Sequence, residues 1–184
     1  FICQIDFDAT ESKIIKFAND TLQIITDELK LSGTKNYKLN LEGIDENAHW
    51  TITPPKNDAD KTDDSKVLAR YINVKNSNAT TEINAVYTQS ENCINWNCKS
   101  GGVFIWKQTA ISNLWNENNN WEGQFGSEGY PGEIHIDDEA TIILQNDSSN
   151  PYYPVINDSV KVTLQKLCIE KDAELSIKEN AELN

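Results

Sequence analysis

Short apolar runs, separated by polar turn residues, recur along most of the sequence and constrain its fold more than any other feature. The runs at 29–31 (LKL), 39–41 (LNL) and 50–52 (WTI) alternate apolar and polar residues, as half-buried β-strands do. Ser32-Gly33 and Glu42-Gly43 follow two of these runs, and such residue pairs favour turns. The pattern therefore predicts an all-β fold built from short strands.

The runs continue on a regular spacing into the second half of the sequence, at 160–164, 167–169 and 175–177. A single coil of such strands buries little apolar surface, whereas stacked coils share one interior and satisfy one another's backbone groups. We therefore predict a parallel β-helix, or β-solenoid, with a pair of β-sandwiches as the alternative. The run at 67–74 (VLARYINV) is predicted as one strand, and in the turn after it Asn76 and Asn78 are expected to hydrogen-bond along the stack.

The periodicity is lost where Lys99 and Ser100 precede a pair of glycines, which indicates a boundary between two units. We predict the C-terminal coils of a first β-solenoid unit at 1–98, a Trp/Asn-rich junction at 99–133 and the start of a second unit at 134–184. The second unit would begin with a strand at 134–136 (IHI). Since the sequence lacks Met and stops in mid-pattern, we expect a processed chain or a fragment of a longer protein.

The charge and the motif content of the chain argue against several classes of function. The sequence has 29 Asp and Glu against 16 Lys and Arg, a net charge of -13, and such a surface repels nucleic acid. No apolar run approaches membrane-spanning length, so we expect no membrane insertion within this segment. No GxSxG, HExxH or phosphate-loop motif occurs, and we predict that the chain is not an enzyme.

Aromatic and amide residues cluster in the predicted junction and suggest a carbohydrate-binding surface. Aromatic faces stack on sugar rings, and Asn amides offer both a donor and an acceptor to sugar hydroxyls. The candidate ligand-binding residues are Trp106, Trp115, Asn118, Asn120, Trp121 and Tyr130. The alternative interpretation is that the tryptophans cover the open end of a coil stack, where strand edges need protection.

An acidic turn and a pair of cysteines supply two further candidates. Asp137, Asp138 and Glu139 could bind Ca²⁺ together with loop carbonyls, or they could form a solvated turn before a strand. Ca²⁺ is the only cofactor that the sequence suggests. Cys93 and Cys98 bracket four residues and could close a small disulfide loop; the alternative is two small buried thiols.

Two long segments resemble parts of large secreted bacterial β-helix repeat proteins. The segments 15–25 (IKFANDTLQII), 67–80 (VLARYINVKNSNAT) and 83–96 (INAVYTQSENCINW) together resemble the closing unit of such proteins. The segments 103–123 (VFIWKQTAISNLWNENNNWEG) and 153–177, which begins YPVI and ends LCIEKDAELSI, resemble the unit that usually follows. These proteins include the filamentous-haemagglutinin-like adhesins of Gram-negative bacteria.

The resemblance implies a β-solenoid, export from the cell and a role at the outer surface. It also implies neighbouring repeats of the same polypeptide as partners, together with host or matrix glycans or proteins. The sequence departs from the pattern at Lys107, where a glycine is usual, and in its cysteines.

Three functions follow from these observations, in decreasing order of support. The first is a non-catalytic structural or adhesive segment of a secreted bacterial cell-surface protein, associated with the outer membrane. The second is a carbohydrate-binding module that uses the Trp/Asn cluster. The third is a polysaccharide-degrading β-helix enzyme.

Overall fold

The chain folds into strands, turns and loops throughout the part that the structure describes. A computed structural model describes residues 2–6, 11–56, 66–145 and 152–184, with side chains from residue 11 onward. These residues contain many short strands, one 3₁₀ turn and no α-helix, so the all-β prediction is confirmed. Within these ranges, no helix has the length and apolar character needed to cross a membrane. The chain divides into two compact units, Phe1–Ser100 (unit 1) and Gly101–Asn184 (unit 2).

Unit 1 consists of three small parallel sheets. Its strands are β1 (Ile2–Asp6), β2 (Lys13–Phe17), β3 (Leu22–Ile24), β4 (Glu28–Ser32), β5 (Leu39–Gly43), β6 (Trp50–Thr53), β7 (Val67–Arg70), β8 (Ile72–Lys75), β9 (Ser77–Ala85), β10 (Gln89–Glu91) and β11 (Ile94–Cys98). The sheet orders are β1-β4-β7, β2-β5-β8-β10 and β3-β6-β9-β11. Each strand from β4 to β9 pairs with the strand three places before it along the chain.

The interior of unit 1 is a ladder of apolar side chains held in register. Leu39 pairs with Ile72 and Leu41 pairs with Val74 across the parallel β5–β8 contact, and all four side chains are buried. The residues between them face outward, because successive side chains of a strand point to opposite faces. A slip of one residue would turn the whole apolar set toward water, so burial fixes the register.

Aromatic side chains fill one corner of the interior of unit 1. The ring of Phe17 stacks on Trp50 with 4.0 Å between centroids. Ser77 is the register partner of Trp50, and its hydroxyl accepts a hydrogen bond of 3.0 Å from Trp96 Nε1. Trp96 in turn meets the edge of Trp50 at 6.3 Å. The small serine between the two indoles leaves the space that both of them need.

Left-handed corner residues recur in successive strand layers of unit 1. Tyr71 and Tyr87 have φ of 51° and 54°, and their rings stack at 4.5 Å. Asn76 and Asn92 have φ of 51° and 53°, and the Asn92 amide donates to Asn76 Oδ1 at 2.7 Å. The hydrogen bond predicted for Asn76 is therefore confirmed, whereas Asn78, predicted to do the same, has a buried Oδ1 without a hydrogen-bond partner. Such backbone conformations cost energy in non-glycine residues, and the ring stack and the amide bond stabilise them.

Unit 2 combines one mixed four-stranded sheet with two small parallel pairs. The strands are β12 (Val103–Trp106), β13 (Trp121–Gln124), β14 (Glu139–Ile142), β15 (Val155–Ile156), β16 (Lys161–Val162), β17 (Lys166–Ile169), β18 (Ser176–Ile177) and β19 (Glu182–Leu183). The four-stranded order is β13-β12-β14-β17, in which only the β12–β13 contact is antiparallel. β15 pairs with β18 and β16 with β19, both in parallel.

The start of unit 2 differs from the sequence-based interpretation in two ways. Residues 134–136, predicted as a strand, form a bend at Ile134 and enter a turn at Ile136, and the strand begins at Glu139. The apolar alternation at 134–136 resembles that of a strand, but these residues pair with no other strand. Within the predicted junction at 99–133, β12 and β13 belong to the sheet of unit 2.

Candidate functional site

The three tryptophans of the predicted sugar-binding cluster lie together in unit 2. Trp106 ends β12 and Trp121 begins β13, and the two residues are register partners in the antiparallel pair. Their rings meet edge to face, with centroids 5.0 Å apart and planes at 84°. Trp115 meets Trp121 in the same way, at 4.8 Å and 65°. This is the geometry that aromatic pairs favour inside a packed core.

Each of the three indole N–H groups donates to a backbone carbonyl. Trp106 Nε1 donates to Tyr152 O at 2.6 Å, and Trp115 Nε1 donates to Pro131 O at 2.9 Å. Trp121 Nε1 donates to Trp115 O at 2.7 Å. A buried indole needs such a partner, so these bonds attach the surrounding loops to the cluster.

Asn120 fastens the loop that carries Trp115. Its Oδ1 accepts from Ile111 N at 2.9 Å and Ser112 N at 3.3 Å. Its Nδ2 donates to Ser112 Oγ and Leu114 O, both at 2.9 Å. The side chain is buried, and both ends of its amide are hydrogen-bonded. These bonds hold the loop of residues 111–114 in place.

Burial corrects the prediction of a sugar-stacking surface at these residues. Trp106 and Trp115 are 0% exposed and Trp121 is 3% exposed, so no indole face is open to a sugar ring. Asn118 is exposed. Tyr130 is partly buried against the same core, and this burial, with the nearby Glu133 as the second cause, raises its pKa. The structure thus brings the three tryptophans together in the core of unit 2, next to β12 and β13, which carry two of them.

The acidic turn is organised around a buried carboxylate. Asp138 Oδ1 accepts from Gly102 N at 2.6 Å, and Oδ2 accepts from Gly132 N at 2.9 Å. Both oxygens of this group are therefore engaged by backbone donors. The described residues contain no group of three or more His, Cys, Asp and Glu side chains that could hold a metal. Asp138 thus serves as an acceptor for two backbone donors, and calcium binding by Asp137, Asp138 and Glu139 stays a prediction.

The environment of Asp138 makes its charge costly. Burial raises the pKa of this carboxyl above its ordinary value of 3.8, and the N–H donors of Gly102 and Gly132 only partly oppose that shift. Gly101 lies against the same turn, where an added Cβ would come within 2.3 Å of the Asp137 carbonyl. The carboxylate and the glycines together hold the backbone of Gly101 and Gly102, at the start of unit 2, against the turn that precedes β14.

The two cysteines of the predicted disulfide are free thiols. Both pack against the interior of unit 1 and are partly buried, and this burial raises the pKa of each thiol. Cys93 Sγ donates to Glu91 O at 3.2 Å. This corrects the disulfide prediction in favour of its alternative, two small thiols at the edge of a core.

The structure also contains a polar groove that the sequence analysis missed. It lies on the outer face of the β2-β5-β8-β10 sheet and has a volume of about 480 Å³. Its lining residues are Asn40, Glu42, Asn73, Val74, Lys75, Gln89, Ser90 and Glu91. Asn40, Asn73 and Gln89 lie on β5, β8 and β10, and only the alignment of these strands in register brings them together.

Comparisons with known proteins do not identify the chain. No family model, no curated protein and no solved structure matches it. Any function must therefore be argued from its residues and their geometry.

Proposed function

We propose that this chain is a non-catalytic structural segment of a secreted bacterial cell-surface protein, with β-solenoid coils as its framework and adhesion as its role. The observation that carries the proposal is the repeated parallel pairing of each strand with the third strand along the chain. It holds from β4 to β9 in unit 1 and again for β14–β17, β15–β18 and β16–β19. Three strands per turn of chain, stacked in register, are what a three-sided solenoid requires.

The last strands of unit 2 support a place within a larger coil stack. Ile142 and Ile156 are 0% exposed, whereas their register partners Ile169 and Ile177 are 44% and 49% exposed. The same interior positions are thus covered in one layer and open in the next. A further coil of the same polypeptide would bury these side chains and pair the free strand edges, which otherwise invite aggregation.

The charge and the motifs of the chain agree with a role outside the cell. A net charge of -13 keeps a repetitive β protein soluble and keeps strand edges of different molecules apart. The resemblance of both halves to repeat adhesins supplies the adhesive part of the proposal. The expected partners are neighbouring repeats and host or matrix glycans or proteins.

Antibody labelling of the source cells tests the surface role. Antibodies raised against the purified chain are applied to intact cells and to permeabilised cells. We expect labelling of intact cells, and loss of that label after brief protease treatment of the cell surface. Label that appears only after permeabilisation would overturn the surface role, and turnover of acidic polysaccharides by the purified chain would overturn the non-catalytic one.

Nuclear Overhauser contacts in solution test the solenoid framework separately. The register predicts contacts between the backbones of Leu41 and Val74, and between Ile156 and Ile177. Parallel strands give a cross-strand pattern that differs from that of antiparallel hairpins. A hairpin pattern at β5 and β8 would exclude a solenoid, whatever the location of the protein.

A further inference from the structure

We propose that the groove on the outer face of the β2-β5-β8-β10 sheet in unit 1 is a binding site for a neutral oligosaccharide. This inference goes beyond the structural role proposed above and depends only on the groove. Its volume of about 480 Å³ falls within the roughly 300–1,000 Å³ of small-molecule sites. The groove is open along one face of the sheet, which suits a chain-like ligand that lies across successive strands.

A ladder of side-chain amides forms the centre of the groove. Asn40, Asn73 and Gln89 are register partners on three neighbouring strands. Asn40 Nδ2 donates to Lys13 O at 3.3 Å, and Asn73 Nδ2 donates to Asn40 Oδ1 at 2.8 Å. These two bonds run in one direction, since Asn40 and Asn73 each donate to the preceding strand of the sheet.

The ladder ends in an acceptor that has no donor. Asn73 Oδ1 is shielded from solvent and has no hydrogen-bond partner. Buried acceptors without a partner are rare, because such a group loses its water without gaining a replacement. Gln89 lies beside it in register and is exposed, so a small movement of Gln89 would open Asn73 Oδ1 to the groove. A ligand hydroxyl that enters there would supply the missing donor.

The chemistry of the lining selects a ligand rich in hydroxyl groups. A side-chain amide combines a donor and an acceptor, and Asn40, Asn73 and Gln89 line the groove with three of them. Sugar hydroxyls have the same double character. The eight lining residues include no aromatic side chain, so we expect weak binding, with Kd on the order of 1 mM, that repeated sites strengthen through avidity.

The charges of the groove favour a neutral ligand. Glu42, Lys75 and Glu91 line it, and Lys75 Nζ is 3.7 Å from Glu91 Oε2. The lysine is thus partnered, and a carboxylate remains in excess. A sulfated or phosphorylated ligand would meet this carboxylate within a chain of net charge -13, which opposes its approach.

Titration followed by amide chemical shifts tests the site on the whole chain. The probes are cellotriose, maltotriose and chitotriose, with a sulfated disaccharide as the charged comparison. We expect at least one neutral trisaccharide to shift the signals of Asn73, Gln89 and Ser90 in a saturable way, and the sulfated sugar to shift none. The proposal would be overturned if none of the neutral sugars caused a saturable shift at a concentration 20-fold above the expected Kd of ~1 mM. Stronger binding of the sulfated sugar would also overturn it.

Two variants distinguish the groove from the rest of the surface. Gln89→Ala and Asn73→Ala should each weaken binding roughly two- to tenfold, the effect of one lost hydrogen bond. Asn97→Ala is the matched control, since Asn97 donates to Asn84 Oδ1 at 2.7 Å on a neighbouring sheet and should leave the affinity unchanged. Equal loss in the control variant, or unchanged affinity in both groove variants, would overturn the assignment. The outcome is independent of the antibody test of surface location.

Discussion

The two units build their interiors by different means. In unit 1, aliphatic side chains such as Leu39, Leu41, Ile72 and Val74 stack in register from strand to strand. The first part of unit 2 instead has a cluster of tryptophans whose indole N–H groups bond to backbone carbonyls. The first interior is a repeating pattern, whereas the second is a set of individual contacts between residues that do not repeat.

This difference determines where each unit is vulnerable. A repeating ladder spreads its stability over many similar contacts, so one position carries a modest share. The tryptophan cluster concentrates packing and hydrogen bonding in few residues, and several loops depend on them. Substitutions should therefore have larger effects in the cluster than at matched depth in the ladder.

Replacement of Trp115 by alanine should have the largest effect. Trp115 is 0% exposed, and its loss removes the contact with Trp121 and leaves Pro131 O without its donor. We expect a loss of about 3–5 kcal/mol in the unfolding free energy of unit 2. Denaturant titration with amide signals assigned to each unit measures this loss separately for the two units.

Leu41→Ala is the matched change in unit 1. Leu41 is equally buried, and we expect its replacement to lower the unfolding free energy of unit 1 by about 2–4 kcal/mol. The amide signals of unit 1 measure this loss. An equal or larger loss for Leu41→Ala would contradict the concentration of stability in the cluster.

Asn120→Leu should have the next largest effect. Leucine has a similar volume but leaves the N–H groups of Ile111 and Ser112 without their acceptor. We expect a loss of roughly 2–3 kcal/mol, because these part-buried donors lose their acceptor while Ser112 Oγ and Leu114 O lose their donor. The exposed Asn118 is the control, and Asn118→Leu should change stability by less than about 0.5 kcal/mol. Similar losses for both variants would mean that the amide network contributes little.

The contrast between the units also explains what could be predicted from the sequence. The runs at 39–41 and 50–52 lie in β5 and β6, because burial of one face imposes a two-residue period on the sequence. The run at 67–74 was predicted as one strand, yet Tyr71 splits it into β7 and β8. A left-handed tyrosine has no local signal, since its support is the ring of Tyr87 in another layer.

The candidate site was harder to predict for the same reason. Aromatic and amide residues of similar composition serve either a binding surface or a core. The choice at Trp106 depends on Tyr152 O, and at Trp115 on Pro131 O. These partners are distant in sequence and leave no pattern there. The groove depends on the register of Asn40 and its neighbours, which a single run does not reveal.

Asp138→Asn should have a smaller effect that depends on pH. Asparagine keeps one acceptor but turns an amide N–H₂ toward Gly102 N or Gly132 N, and we expect a loss of about 1–2 kcal/mol in unit 2. The pKa of Asp138 is raised in the folded chain by burial. The folded state therefore binds the proton more tightly, and stability from this group falls as pH rises from 3.8 through the folded pKa.

Denaturant titrations of both proteins across that pH range check the sign. The advantage of the wild type over Asp138→Asn should be larger at the acid end of the window, where its carboxyl is protonated, and smaller above it. An advantage that grows with rising pH would show that the backbone donors outweigh the cost of burial. The signals of unit 1 serve as the internal control, because Asp138 belongs to unit 2.

The cysteines offer the smallest effect and the sharpest contrast between the units. Cys93 and Cys98 are partly buried free thiols in unit 1, whereas Cys168 in unit 2 is exposed. Burial raises the pKa of the first two, which lowers their thiolate fraction and slows alkylation. Peptide mapping after brief iodoacetamide treatment should therefore find Cys168 modified before Cys93 and Cys98. Reductant should leave the unfolding free energy of unit 1 unchanged, whereas loss of a disulfide typically costs roughly 2–4 kcal/mol. A cross-linked peptide that contains Cys93 and Cys98 and disappears on reduction, with a matching loss of unfolding free energy, would contradict the free thiols. It would show instead that a disulfide closes the edge of unit 1.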